Sequence, residues 1–146
     1  MIDFTQYESL KLPDVAEFER GKPGKIYPAG SSTIQISATR GQIGFLKQSR
    51  EVEAKDVVII PIAGVDHYYL NVVLQKNVAD FCRVFQSGLN IKFEELNNFK
   101  IELHNYETQQ AIASAVRQLD FQAELVEQQI SDMELFKSYM LSKVMM

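Results

Sequence analysis

The sequence predicts an α+β protein, in which a compact mixed α/β domain at residues 1–104 precedes one long coiled-coil helix at residues 105–146. Two observations lead to this fold class. β-branched runs and a helical stretch interleave in the first part without regular βαβ units. The last part has apolar residues about 3.5 positions apart and no glycine or proline, as a long supercoiled helix requires.

Five short stretches of the first part are predicted to form strands, at residues 15–20, 33–38, 44–46, 57–62 and 99–103. Residues 33–38 alternate between polar and apolar side chains, which is the pattern of a half-buried strand. Residues 57–62 form a continuous, largely β-branched run, which is typical of a buried strand. Pro61 belongs near the end of such a strand or at a sheet edge.

Three helical segments are predicted alongside these strands. Apolar residues recur at spacings of three and four between residues 67 and 85, and Gly88 ends that stretch. One helical turn follows at residues 93–96. The long helix then begins with either Asn105 or Thr108 as its N-cap, and about 37 helical residues give a length of about 55 Å.

Apolar residues spaced alternately four and three apart run along the long helix. They are Ile112, Val116, Leu119, Ala123, Val126, Ile130, Met133, Met140 and Val144. Because such a seam keeps facing one partner only when helices supercoil, we predict that two helices pair through it. The alternative is that the seam packs on the chain's own first domain. Lys137 also holds a seam position, where it marks a frayed end or sets the register of the pair.

The composition argues against an enzyme, a metal site and a cofactor. One cysteine excludes an intrachain disulfide and a multi-cysteine zinc site, and no glycine-rich phosphate motif occurs. Cys82 is interpreted as a small buried apolar residue. The Asp66–His67 pair is interpreted as a helix cap or surface pair rather than part of a catalytic triad. We therefore predict no catalytic residue, no metal and no cofactor.

Nothing in the sequence predicts a membrane protein. An apolar run of roughly 18 residues, the length that spans a bilayer, is absent. The N-terminus carries acidic residues where a signal peptide has a positive start. The expected location is the cytoplasm.

Charge is distributed unevenly along the chain. The net charge of −4 argues against non-specific coating of nucleic acid. Residues 20–50 nevertheless contain six basic residues and no acidic ones, whereas residues 105–146 contain three basic and six acidic residues. A basic front of this kind is compatible with local contact to nucleic acid. The alternative is that these charges only solvate surface loops.

Candidate DNA contacts lie in the glycine-containing loops. Arg20, Lys22 and Lys25 are predicted to contact phosphates. Arg40 and Gln42 are candidates for base edges, because Arg and Gln can pair with guanine and adenine. The second choices have polar or cationic side chains in loops, and they are Ser31, Ser32, Lys47, Ser87, Asn90 and Lys92. The alternative is that these loops are ordinary Gly/Ser turns.

The order of several short motifs resembles a known family. The motifs are Leu12-Pro13-Asp14-Val15-Ala16-Glu17-Phe18, Arg20-Gly21-Lys22, Ala38-Thr39-Arg40-Gly41-Gln42-Ile43-Gly44, Ala54-Lys55-Asp56-Val57-Val58-Ile59-Ile60-Pro61, Ser87-Gly88-Leu89-Asn90-Ile91-Lys92 and Tyr106-Glu107-Thr108-Gln109-Gln110-Ala111-Ile112-Ala113. Together they are similar to the specificity (S) subunits of type I restriction–modification systems. The last motif resembles that family's L-x-x-Q-x-x-I-A entry to its spacer helix. A complete S subunit has two recognition domains and two spacer helices, whereas this chain has one of each.

The resemblance implies a non-catalytic half-subunit, with a target-recognition domain at residues 1–104 and a spacer helix at residues 105–146. It implies double-stranded DNA and modification (methyltransferase) subunits as partners, and a restriction subunit can join that complex. We expect two copies to pair their helices antiparallel and read an inverted-repeat, two-part site. A helix of about 55 Å corresponds to about 16 base pairs. The competing hypothesis is a coiled-coil interaction module without DNA binding of its own.

Overall fold

Strands and helices interleave through the first part of the chain, and one long helix follows. The computed structural model describes residues 2–38 and 41–144. The strands are β1 (Glu8–Lys11), β2 (Ala16–Arg20), β3 (Ile26–Tyr27), β4 (Ser32–Gln35), β5 (Ile43–Phe45), β6 (Arg50–Glu51), β7 (Asp56–Pro61) and β8 (Lys100–Leu103). The helices are α1 (Leu12–Val15), α2 (His67–Phe85) and α3 (Tyr106–Val144), and a 3-10 helix covers Phe93–Asn98. The predicted α+β class with a long C-terminal helix is confirmed.

The continuous apolar run predicted as a buried strand is the central strand β7. It lies between β2 and β4 in a four-stranded antiparallel sheet of order β2-β7-β4-β5. Val57 and Ile59 belong to the main core together with residues of α2, whereas Val58 belongs to a second, smaller core. Both faces of β7 are therefore covered, which explains why its sequence does not alternate. Pro61 is its last residue and pairs with Ala16, at the strand end as predicted.

A two-stranded ribbon of β3 and β6 covers the second face, and the sequence did not predict it. Ile26 pairs with Glu51 and Tyr27 with Arg50. Tyr27 is buried with Leu46, Val52 and Val58 in the smaller core. Two-residue strands are too short to show an alternation of polar and apolar residues, so the sequence carries no signal for them.

Helix α2 covers the other face of the sheet within the predicted limits. Its buried residues include Tyr69, Leu70 and Leu74, which belong to the main core. Asp66 caps the helix, because its Oδ1 accepts a 2.8 Å hydrogen bond from the backbone N–H of Tyr69. The cap interpretation of Asp66 is confirmed. Cys82 is partly buried, and this burial raises the pKa of its thiol.

The pair β1 and β8 packs beside α2, and β1 was not predicted. Glu8 pairs with Leu103 and Lys11 with Lys100. The prediction of a strand over residues 33–38 was too long, because β4 ends at Gln35. Ala38 has a φ of 48°, a left-handed conformation that ends an extended strand.

Helix α3 begins with Asn105 as its N-cap. The side-chain oxygen of Asn105 accepts a 2.9 Å hydrogen bond from the N–H of Thr108, which decides between the two candidate caps. Two compact units divide the chain, one ending at Ala113 and the other beginning at Ser114. Thr108, Gln109 and Ala113 are buried. Every described residue from Arg117 onward is exposed.

Candidate nucleic-acid interface

One end of the four-stranded sheet gathers several predicted DNA contacts. Arg20 is the last residue of β2 and pairs with Val57 near the start of β7. Gln35 is the last residue of β4 and pairs with Asp56. The carbonyl oxygen of Gln42 accepts a 3.0 Å hydrogen bond from the N–H of Gln35. Strands β2 and β4 therefore end here, and strands β5 and β7 begin here. We call this the Arg20 end of the sheet.

A second loop, distant in sequence, is tied to the same end. The N–H of Ile91 donates to the carbonyl oxygen of Ile36 at 2.8 Å. The side-chain oxygen of Asn90 accepts from the N–H of Ala38 at 3.1 Å. We call residues 36–38 and 87–91 the paired loops. They bring Ser87, Asn90 and the adjacent Lys92 to the sheet end that carries Gln42 and Arg20.

Three candidate contacts lie at the opposite end of the sheet. Ser32 pairs with Phe45 and Ile59, and the carbonyl oxygen of Ser31 accepts from the N–H of Leu46, directly before Lys47. Lys47 is exposed but remote from the Arg20 end.

Ser31 and Ser32 are also buried. The Ser31 hydroxyl donates to the carbonyl oxygen of Pro28, and the Ser32 hydroxyl accepts from the amide of Asn71. The assignment of these two serines as DNA contacts was wrong, because buried hydroxyls engaged with the core do not reach a duplex.

The basic turn after β2 is partly neutralised by Glu19. Its carboxylate lies 2.9 Å from Lys25 Nζ and 3.3 Å from Lys22 Nζ. The hydrogen bond from Lys25 is the main reason that the pKa of Glu19 is lowered, and Tyr27 and Lys22 add to it. Glu19 directly precedes the acid-free stretch of the sequence, so counting charges from Arg20 missed it. Exposed ion pairs are weak, and phosphates can replace Glu19 as the partner of either lysine.

Arg20 and Gln42 are exposed at the sheet end, whereas Arg40 lies outside the described residues. The described part of the chain places no acidic group in an ion pair with Arg20.

Lys55 also belongs to this end, because its carbonyl oxygen accepts from the N–H of Ile36 at 2.9 Å. The sequence motif that contains Lys55 pointed only to a strand, so Lys55 was missed. Burial raises the pKa of the neighbouring Asp56, so this carboxyl is held in a site that disfavours its charge.

The predicted seam of α3 is open to solvent over most of its length. Ile112 and Val116 are half-buried, and the other members, Leu119, Ala123, Val126, Ile130, Met133, Met140 and Val144, are exposed. A second apolar face was missed. Phe121, Leu125, Leu135 and Tyr139 are exposed large side chains that lie roughly opposite the seam at about 100° per residue. Plotting all apolar residues around the helix, rather than testing one spacing, would have found them.

The described part of the chain contains neither a cluster of metal-ligating side chains nor a helix suited to spanning a membrane. Residues 2–38 and 41–144 contain no group of three or more metal-ligating side chains close together. None of the described helices combines the length and apolar character that crossing a bilayer requires. Gly21 has a structural role, because it lets the backbone approach Val52 and Glu53, whose carbonyl oxygens a Cβ there would overlap.

Several solved structures share this fold. The S subunit of a type I restriction–modification system from M. genitalium matches with a TM-score of 0.70 and 13% identity over 90% of this chain and 44% of that one. The HsdS subunit from Thermoanaerobacter tengcongensis gives a TM-score of 0.66 and 13% identity over 84% of this chain and 39% of that one. A chain from work on assembly and conformational transition of the type I R-M system gives a TM-score of 0.69 and 14% identity, over 82% of this chain and 40% of that one.

These likenesses establish the fold, and this chain spans about two fifths of the length of each of those proteins. No curated protein matches the chain significantly. The model of the type I restriction modification DNA specificity domain matches residues 15–135, which include the sheet, α2 and most of α3. The chain therefore belongs to the family of type I restriction–modification specificity domains, whose members are non-catalytic.

Proposed function

We propose that this chain reads one half of a two-part DNA site, and that a second copy of the chain reads the other half. Its recognition domain comprises residues 1–104 and its spacer helix residues 105–146. Modification subunits are directed to the site by the pair and carry out methylation, and a restriction subunit can join them. The single observation that carries the proposal is the convergence of predicted contact loops at the Arg20 end, in a chain of a DNA specificity family.

The contacts at the Arg20 end fall into two roles. Arg20, Lys22 and Lys25 bind phosphates and set the position of the domain on the duplex. Gln42, together with Arg40, reads base edges in the major groove. The paired loops add Ser87, Asn90 and Lys92 beside them. Lys47 lies too far from this end to join the same contact, and we leave it out of the proposed interface.

Pairing of two copies uses the seam of α3. Large exposed apolar side chains such as Val126 and Ile130 are stabilised when a second helix covers them. An antiparallel pair has two-fold symmetry, which matches an inverted-repeat site. The helix has 39 residues, so its length of about 58 Å corresponds to about 17 base pairs.

The opposite face of α3 is the proposed surface for a modification subunit. Phe121, Leu125, Leu135 and Tyr139 remain exposed even when the seam is covered, since they lie on the other side of the helix. A helix with two apolar faces has room for one partner on each. This division of faces lets the chain pair with itself and hold a different protein at the same time.

The DNA role is tested by mobility shift at several salt concentrations, with and without a modification subunit. We expect Lys22→Ala to weaken binding to all sequences alike and to lower the salt slope by about 1. We expect Gln42→Ala and Arg40→Ala to relax sequence preference instead. Lys47→Ala, at the opposite end of the sheet, is the control. Wild-type protein that binds no DNA in either setting favours the competing function, an interaction module.

The pairing of helices is tested separately by sedimentation equilibrium. We expect Ile130→Glu to produce monomers, because pairing would bury an introduced carboxylate of each helix among apolar side chains of the seam. Ser131→Glu adds the same charge one position along the helix, away from the seam, and is expected to leave the dimer intact. A wild-type monomer at micromolar concentration contradicts the pairing but not the DNA contacts.

A further inference from the structure

Leu89 is a large apolar side chain at the tip of a tight turn beside the proposed DNA contacts. It is 64% exposed. A single exposed leucine is common on protein surfaces and means little by itself. Two further features of its surroundings, the stiffness of the turn and its attachment to the Arg20 end, distinguish this residue.

The turn that carries Leu89 is closed by hydrogen bonds on both sides. The N–H of Ser87 donates to the carbonyl oxygen of Asn90 at 2.9 Å, and the N–H of Asn90 donates back to Ser87 at 3.1 Å. Gly88 has a φ of 61°, the positive value that the first central position of a type II′ turn requires. Leu89 therefore occupies the other central position of a two-residue turn, with little freedom to fold back onto the protein.

The base of this turn is fixed to the sheet end. Ile91 is buried in the main core, and its N–H is bonded to the carbonyl oxygen of Ile36. Asn90 holds Ala38 through its side chain. Force applied to Leu89 by a ligand is thus resisted by the core and by the other paired loop, rather than absorbed by a mobile tip.

We propose that Leu89 is an apolar wedge that inserts at one base step of the bound duplex, an inference that rests on the DNA-reading function proposed above. Partial unstacking of a step costs a few kcal/mol, so a wedge is useful only when it is rigidly supported and when cationic groups hold the flanking phosphates. The closed turn supplies the support. Exposed Lys92, three residues along the chain, supplies a positive charge on the same loop.

A wedge gives sequence preference without a hydrogen bond to any base. Pyrimidine–purine steps such as TA and CA unstack most easily, so the step that receives Leu89 is of this type. Leu89 thereby adds a shape-dependent element to the direct reading by Gln42. The two kinds of reading are separable by substitution, since one depends on apolar volume and the other on an amide.

The test uses a duplex that the wild-type chain selects from a randomised pool, with its modification subunit present where binding needs it. 2-Aminopurine is placed in turn at each pyrimidine–purine step of that duplex. We expect the wild type to raise fluorescence at one step, and Leu89→Ser to abolish this rise and increase Kd roughly tenfold. Leu89→Met, which keeps the apolar volume, is expected to retain the rise.

Ile62→Ser is the matched control, because Ile62 is an exposed apolar residue directly after β7, at the end of the sheet opposite Arg20. Thermal unfolding checks that each variant is folded. If Leu89→Ser keeps wild-type affinity and wild-type fluorescence, the wedge is rejected while the DNA-reading function stands. If the wild type selects no duplex, the function itself is rejected and the wedge with it.

Discussion

The side-chain oxygen of Asn90 accepts a 3.1 Å hydrogen bond from the backbone N–H of Ala38, which lies 52 residues earlier in the chain. Ala38 has a φ of 48°, a left-handed conformation that costs roughly 1–2 kcal/mol for a residue with a Cβ. Asn90 therefore helps to hold a backbone shape that Ala38 disfavours by itself. This hydrogen bond stabilises the start of the loop that leads to Gln42, at the Arg20 end of the sheet.

We expect Asn90→Ala to loosen this loop at little expense in global stability. The bond is exposed, so water can replace it and the free energy of unfolding falls by only about 1 kcal/mol, as urea denaturation would measure. We expect the ratio of specific to non-specific DNA affinity to fall more, because Gln42, the proposed reader of base edges, follows this loop in the chain. Asn97→Ala removes a local exposed bond to Glu94 and is the control. An equal loss of discrimination in both variants contradicts the role given to Asn90.

We expect alanine to destabilise the fold to different extents at the two glycines of the basic turn. A Cβ on Gly21 would overlap the backbone oxygens of Val52 and Glu53, and backbone atoms cannot move aside cheaply. A Cβ on Gly24 meets no atom within 4 Å, so only its φ of 80° opposes alanine there. We expect Gly24→Ala to lower the free energy of unfolding by about 1 kcal/mol and Gly21→Ala by at least twice that, measured by urea denaturation. Equal losses would show that the close approach to Val52 and Glu53 is not the larger penalty.

Local signals made the helices predictable. The limits of α2 follow from apolar spacing and from the cap at Asp66, both of which are encoded within a few residues. The entry to α3 was recognised from the motif that contains Gln109, although its physical reason was not. The structure supplies that reason, because Gln109 is buried and bonded to three backbone groups.

The candidate interface was predictable only in part, because its geometry depends on strand pairing. Arg20 and Gln42 lie at the same end of the sheet because β2, β7, β4 and β5 pair in one register, which loop composition does not reveal. The same register buries Ser32, so a Gly/Ser loop that looked accessible became part of the core. Glu19 reaches both lysines of the basic turn only because that turn follows directly on β2.

We expect Gln109→Ala to be among the more destabilising single changes in α3. Gln109 Oε1 accepts from the N–H of Asp66 at 2.9 Å, and its Nε2 donates to the carbonyl oxygen of His104 at 2.9 Å. Truncation leaves these partly buried groups without partners, which costs about 2–3 kcal/mol by thermal or urea unfolding. Gln118→Ala, an exposed glutamine of the same helix, is expected to change stability by less than about 0.5 kcal/mol. Similar losses in the two variants would contradict this role of Gln109.

Glu102 makes stability depend on pH in the acidic range. Its partial burial acts to raise the pKa, but hydrogen bonding from Asn77 and the charge of Lys76 outweigh burial and lower it below the ordinary 4.5. A carboxyl with a lowered pKa in the folded state stabilises the fold above its unfolded pKa. That contribution is lost as pH falls through the folded value.

We therefore expect the difference in unfolding free energy between wild type and Glu102→Gln to shrink as pH is lowered below about 4.5. Urea denaturation across the acidic range measures it. Asn77→Ala removes the donor to the carboxylate, at 2.7 Å, and is expected to weaken the same pH dependence. A difference that stays constant with pH would mean that Glu102 acts through packing alone.

Lys137 gives the sharpest test of the seam. Its position places an ammonium group among apolar residues that a second helix is proposed to cover, where the charge must reach out to water. We expect Lys137→Leu to strengthen self-association at least tenfold in sedimentation experiments, since burying a leucine contributes roughly 1.5–3 kcal/mol. Arg117→Leu also replaces a cation with leucine, but at a position roughly 160° around the helix from Lys137 at about 100° per residue, away from the seam. If both changes strengthen association alike, the effect is general hydrophobicity and the seam is not the pairing surface. If only Lys137→Leu does so, the lysine weakens the pair at a defined position, as expected of a residue that sets register.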